Sequence, residues 1–317
     1  MTRVGAVDCG TNSIRLLVAD VEPGSGELTD VLRRMEIVRL GHGVDRTGAI
    51  DPAAMDRTLA RCREYAGQCR ELGAERVRFV ATSASRDASN AADFVAGVRD
   101  AFAEYGVVPE VVSGDEEASL SFRGATGGLR AHNIPGPYLV VDLGGGSTEF
   151  VRGEVDVEAA RSVDIGCVRM SERHLVSDPP TESEVAAAVR DIDAAIDLAA
   201  EVVDFSGIAS LVGLAGSVTT ITANALGLRE YDAARIHLTT LAPEEVLASC
   251  QELLHQTRAE RAALGFMHPG RVDVIGAGAL VWHQVVVRLS GLGVERVVTS
   301  EHDILDGIAL SLVDRPA

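Results

Sequence analysis

The sequence predicts an α/β protein made of two similarly built domains around a cleft, and three observations carry that prediction. A strand–carboxylate–turn–strand unit occurs near the N-terminus and again before the middle of the chain. Strand-like and helix-like segments alternate through the remainder. A chain of 317 residues is long enough for two domains with a substantial core.

The central unit runs from Leu139 to Glu149. Leu139, Val140, Val141 and Leu143 read as a buried strand carrying one carboxylate, Asp142; Gly144, Gly145, Gly146, Ser147, Thr148 and Glu149 follow. Residues without a Cβ let backbone N–H groups turn on an anion, and they permit the positive φ expected of such a loop. Asp142 stands where a carboxylate holds a hydrated divalent cation against that anion. An isolated Gly triplet after a strand is equally well a tight turn. Here the pattern is repeated. Val4–Val7 is apolar, then come Asp8, Cys9, Gly10, Thr11, Asn12 and Ser13, with Ile14–Asp20 returning. Asp8 to Ser13 and Asp142 to Ser147 both span five residues. The repeat lies beyond the short solenoid periods and reads as two half-chains. Two such hairpins describe a cleft for a phosphorylated substrate and a metal.

On these residues the chain resembles the exopolyphosphatase/guanosine pentaphosphate phosphohydrolase family. Asp8–Ser13 is similar to its first phosphate loop and Asp142–Glu149 to its second. The resemblance implies two actin-like (ASKHA, ribonuclease H-like) domains with an interdomain cleft. Residues 1–125 with 302–317 would form the first domain and 126–301 the second. The chain ends at Ala317, so the helical HD-type domain of longer members is not expected.

Composition narrows the function. Formal net charge is −18, and all 29 basic residues are arginine. Without lysine a Walker-type phosphate loop is excluded. An acidic surface opposes binding to nucleic acid. A polyanionic substrate then requires arginines to converge locally, where guanidinium forks take phosphate oxygens in pairs. The most apolar stretch, Val272–Leu289, contains Asp273, His283, Gln284 and Arg288, so no membrane span is expected. The N-terminus enters a strand directly, and no signal peptide is expected. Cys9, Cys62, Cys69, Cys167 and Cys250 lack Cys-x-x-Cys spacing and fit reduced, buried thiols in cytoplasm.

In chain order, 23–26 reads as a turn before a strand from Leu28 towards Leu40. Arg33, Arg34 and Arg39 there form either a substrate-facing rim or a solvated face. Asp51 and Pro52 are an N-cap and first-turn proline, and Leu59, Cys62, Tyr65, Ala66 and Cys69 keep helical spacing up to Gly73. Arg76–Ala81 is a strand, Thr82–Asp87 a loop, and 88–105 a helix. Hydroxyls and an arginine between strand and helix suit either an anion or an ordinary cap. In the resembled family this segment carries an arginine and an asparagine that contact substrate, here Arg86 and Asn90. After a strand at 107–112, Ser113–Ala118 opens a helix whose acidic first turn favours the helix dipole. The resemblance implies that the glutamate beside the alanine, Glu117, is the catalytic base, with Glu116 as a cap or secondary contact.

Gly124–Pro137 is the connection between halves. A strand over 154–163 and the segment Gly166–Met170 lead into two helices, the second at 183–205 behind the capping box Thr181/Glu184. The strand 208–214 ends in Gly216 and Ser217, which resemble the family's third glycine loop. Pro243 starts a further helix, and Gly276 and Gly278 read as close packing in the helix 274–289. The strand 294–298 and a helix from 303 close the chain, that helix returning to the first domain. His268 and His302 read as capping or packing residues.

The resemblance implies hydrolysis of terminal phosphate from inorganic polyphosphate, dependent on Mg²⁺ or Mn²⁺, by a cytoplasmic homodimer. It assigns Glu117, Arg86 and Glu149 to catalysis, and Asp142, Glu149 and Asp8 to the metal. Thr11, Asn12, Ser13, Arg15, Asn90, Gly144–Gly146, Ser147, Thr148, Gly216 and Ser217 would bind substrate. Guanosine pentaphosphate is the alternative substrate. A catalytically weak polyphosphate or nucleotide sensor, and a sugar kinase, are the alternatives of other classes.

Overall fold

The two apolar runs become central strands because each lies in a sheet covered on both faces. β1 (Thr2–Cys9) is buried from Val4 onward and β6 (Tyr138–Leu143) along its whole length. The computed structural model describes residues 1–22 and 27–314, so the turn read at 23–26 lies outside the described residues. The chain forms two compact units, Met1–Gly124 with Ile304–Ala317, and Ala125–Asp303.

The first unit contains β1, β2 (Ser13–Val21), β3 (Leu28–Ile37), α1 (Val44–Thr47), α2 (Pro52–Glu71), β4 (Arg76–Ala81), α3 (Ser83–Asp87), α4 (Ala91–Ala101), β5 (Glu110–Val111) and α5 (Gly114–Thr126). Its sheet order is β3-β2-β1-β4-β5; the first three strands are antiparallel, and β4 and β5 run parallel to β1. The second unit contains β6, β7 (Thr148–Gly153), β8 (Val157–Val163), α6 (Cys167–His174), α7 (Glu182–Ala200), β9 (Ser210–Leu214), α8 (Ala215–Ala225), α9 (Ala233–Ile236), β10 (Thr239–Leu241), α10 (Pro243–His255), α11 (Arg258–Ala263), α12 (Ile275–Ser290) and β11 (Val297–Thr299). Its sheet, β8-β7-β6-β9-β11, repeats the same order, with β10 added antiparallel on the edge. The five-strand order is thus the same in both units.

α13 (Ile304–Asp314) returns to the first unit. Ile304, Leu305, Ile308 and Ala309 are buried with Val4, Ala6, Leu17 and Val80 on one face of the sheet, while α2 and α4 cover the other. Each fully buried Val, Leu or Ile side chain among them contributes about 1.5–3 kcal/mol. α13 crosses α5 so closely that a Cβ on Gly307 would lie 2.0 Å from the Leu120 carbonyl oxygen. Arg33 pairs with buried Asp306 at 2.6 Å, and Arg78 donates to the Ser311 hydroxyl.

Asp51 caps α2 by accepting from Ala54 N–H, and Cys62, Tyr65 and Cys69 line its buried face. Burial pushes the Cys62 and Cys69 thiols up to about 12, and all five cysteines are free and buried. The capping box of Thr181 and Glu184 is formed. His268 accepts from Gly270 N–H as a cap, and the His302 ring packs 4.4 Å from that of His237. No helix among the described residues is long and apolar enough to cross a membrane.

Local differences from the sequence reading have physical causes. The loop expected over Thr82–Asp87 is helical from Ser83. The helix expected over 88–105 begins only at Ala91, because Ser89 and Asn90 turn aside to hold Gly48 and Ile50, and it ends at Ala101. The strand expected at 107–112 pairs only at Glu110 and Val111, and α7 stops at Ala200. Arg33 and Arg34 are held in ion pairs with Asp30, Asp306 and Glu64, so they serve the fold rather than an open basic rim. Arg39 has left the strand and sits at φ 52°.

Candidate active site

Both hairpins close with the same turn. Gly10 N–H donates to Ser13 O at 2.9 Å, and Gly144 N–H to Ser147 O at 3.1 Å. In each loop the carbonyls are tied back by a later segment. Thr11 O accepts from Gly41, and Asn12 O from Val38 and Arg39; Gly144 O accepts from Cys167, and Gly145 O from Val168 and Arg169. The Arg169 side chain adds a bond to Gly146 O at 2.8 Å. Satisfying these carbonyls elsewhere removes lone pairs that would repel an anion. The glycine triplet acts differently from the sequence expectation. Among the described residues the left-handed glycines are 43, 48, 73, 106, 207, 227 and 293, none of them in the triplet. What the loop requires is close approach, since a Cβ on Gly166 would lie 2.3 Å from the Gly145 carbonyl.

The register separates the two hairpins. Asp8 lies opposite Arg15, whereas Asp142 lies opposite Glu149, each pair seven residues apart. Arg15 Nη2 and Nε meet Asp8 Oδ2 at 2.7 and 2.9 Å, so the first carboxylate faces a cation of its own unit. Asp142 and Glu149 are 6% and 1% exposed. Like charges directly opposite on a sheet destabilise it, and burial increases that cost. Ser162 Oγ donates to Glu149 Oε1 at 2.7 Å, orienting that carboxylate. Among the described residues no three His, Cys, Asp or Glu side chains gather as a metal cage. Mg²⁺ commonly takes only one or two protein carboxylates, completing its shell with water and substrate phosphate, so this pair fits it. The Thr148 hydroxyl donates to Ile165 O.

The adjacent glutamates on α5 diverge. Glu116 pairs with Arg78 at 2.6 Å, beside Glu110. Glu117, 8% exposed, pairs with Arg86 Nη1 at 2.8 Å, and the same nitrogen donates to Val112 O at 2.9 Å. α3 thus brings Arg86 and Glu117 together. Asn90, expected to face substrate, spends its oxygen and one of its two N–H groups on the chain at residue 50. Its Oδ1 accepts from Ile50 N–H at 2.8 Å and its Nδ2 donates to Ile50 O at 3.0 Å, so it clamps the chain at residue 50. Among the described residues of this unit, Asn12 Oδ1 in the first loop and Ser85 Oγ on α3 are buried without a protein partner, as is Gln68 Oε1 on α2. Such groups cost about 1–3 kcal/mol when left unsatisfied and are expected to find a ligand or water.

In the second unit β9 runs into α8 through Ala215 at φ 68°, a left-handed position uncommon for a residue with a side chain. The turn places Gly216 beneath a guanidinium that sequence reasoning missed. A Cβ on Gly216 would lie 2.3 Å from Arg271 Cζ, and Arg271 Nη1 donates to Thr220 Oγ1 at 3.2 Å. A cation at the positive end of a helix is poorly placed unless both address an anion. Ser217 is packed against Gly278, whose added Cβ would lie 2.4 Å from Ser217 Oγ and 3.3 Å from Cys167 Cβ.

Residues 17–315 match the Ppx/GppA phosphatase family. The chain belongs to that family. Within it, Exopolyphosphatase 2 of Mycobacterium tuberculosis is 51% identical, the alignment covering 98% of this chain and 99% of that protein. The crystal structure of an exopolyphosphatase-like protein superposes with a TM-score of 0.94 at 43% identity, over 98% of this chain and 97% of that one. That of an exopolyphosphatase from Cytophaga hutchinsonii gives 0.86 at 26% identity, over 99% and 98%.

Proposed function

We propose that this Ppx/GppA protein is an exopolyphosphatase that releases terminal phosphate from inorganic polyphosphate. The observation that carries the reading is the buried Glu117 carboxylate held 2.8 Å from Arg86. A carboxylate so placed accepts a proton from an attacking water, and a guanidinium beside it offsets charge developing on the phosphoryl oxygens. Asp142 and Glu149 would hold Mg²⁺ or Mn²⁺, which when bound neutralises phosphate charge. Asp8, paired with Arg15, would orient that guanidinium towards the chain of phosphates. The loops at Thr11–Ser13 and Gly144–Thr148, with Gly216, Ser217 and Arg271, would bind phosphate. Buried free thiols support a reducing, cytoplasmic location; the family resemblance supports a homodimer.

The exo mode is tested on a polyphosphate of uniform length resolved by gel. Free phosphate should accumulate while the band shortens progressively from its end. Fragments of intermediate length at early times, without free phosphate, would contradict it.

A further inference from the structure

Arg261, on α11, is 5% exposed, and among the described residues its charge has no carboxylate at hydrogen-bond distance. Asp178 is the nearest ion-pair partner, at 3.8 Å. Burial draws this guanidinium's pKa below the usual arginine value, Asp178 and Asp273 offsetting only part of the effect. A buried arginine that merely fills space is replaceable by an apolar side chain, often with a gain in stability. Arg261 does more than fill space. Its Nε and Nη2 donate to Gln256 O at 3.1 and 2.8 Å, and Nη1 donates to Val272 O at 3.1 Å. The planar fork therefore ties two separate backbone segments, with Gly276 of α12 lying against it.

Val272 adjoins Arg271. The short segment before α12 is closed by Arg271 N–H on His268 O at 2.8 Å and Val274 N–H on Arg271 O at 3.0 Å. Beyond its backbone, Arg271 is steadied among the described residues by a bond of 3.2 Å to Thr220 Oγ1, whose hydroxyl in turn donates to Gly216 O at 2.6 Å. The direction of the Arg271 side chain over Gly216 thus depends on the backbone at 271–272.

We propose that Arg261 is a positioning residue for this phosphatase: by holding the Val272 carbonyl, it sets the backbone from which Arg271 reaches the start of α8. This inference rests on the reading that Arg271 contacts the phosphate chain.

The test is a double-mutant cycle on kcat and KM for polyphosphate, using wild type, Arg261→Met, Arg271→Ala and the double variant. Arg271→Ala should raise KM by about tenfold, the effect of one charge-assisted contact. Arg261→Met should raise KM about three- to tenfold, with kcat within about twofold, and should add less than about twofold to Arg271→Ala. Arg261→Lys keeps the charge without the fork. It should show the same dependence on Arg271 if the Met variant does not fold. An equal KM effect of the Arg261 variants in both backgrounds overturns the proposal, since a merely structural residue acts independently of Arg271. An unchanged KM in Arg261→Met and Arg261→Lys overturns it as well. An unchanged KM in Arg271→Ala alone removes the reading of Arg271 beneath it.

Discussion

Glu117→Gln is expected to lower kcat for phosphate release by about 10²- to 10⁴-fold, the range for losing a general base. KM should stay within about threefold, because the amide keeps shape and an acceptor for Arg86 but cannot take a proton. Glu116→Gln is the matched control. Its carboxylate is turned to Arg78, 2.6 Å away in an ion pair with 44% side-chain exposure, so kcat should stay within about threefold. Steady-state kinetics on the two purified variants, with melting temperatures to show that both fold, decide the assignment. A large loss in Glu116→Gln with a small one in Glu117→Gln would invert it.

The second large effect concerns the facing carboxylates. Asp142→Asn and Glu149→Gln should each lower activity by about 10²-fold or more at millimolar Mg²⁺, with partial recovery as Mg²⁺ is raised. Their stability should move the other way. With the metal chelated, neutralising one of two buried, directly opposed carboxylates relieves repulsion, so the melting temperature should not fall. Asp8→Asn gives the contrast in the same chelating buffer. It leaves Arg15, paired with Asp8 at 2.7 Å, without its carboxylate, and the melting temperature should drop. Thermal unfolding of the three variants in chelator checks this. A loss of stability in Glu149→Gln as large as in Asp8→Asn would remove the physical case for a cation at Asp142 and Glu149.

The fold was legible because its signal is local. Apolar runs ending in Asp8 and Asp142, with the same five-residue step to a serine, announce two similar hairpins before any contact is known. The seven-residue offset to Arg15 and to Glu149 is also present in the sequence. It gains meaning only from strand register, which shows one carboxylate neutralised and the other doubled. The site was less legible wherever long-range packing decides which way a side chain points. Glu116 and Glu117 are about 100° apart on a helix, and only β4 and α3 determine which arginine each one meets. Asn90 offers an acceptor and two donors in sequence, yet a segment forty residues earlier takes its oxygen and one of its N–H groups. Arg271 carries no local mark, because its significance comes from Gly216, more than fifty residues away, brought under it by the packing of α12 on α8. The glycine triplet was read for its backbone freedom, but close approach by Gly166 is the stronger constraint.

The central claim is tested most directly by phosphate release with Mg²⁺ from short polyphosphate, long polyphosphate, guanosine pentaphosphate and ATP, in wild type and Glu117→Gln. The account predicts release from polyphosphate that is lost in the variant. Release from guanosine pentaphosphate alone would replace polyphosphate as substrate. Release from none of the four would contradict the hydrolase account and leave a phosphate-chain binding protein.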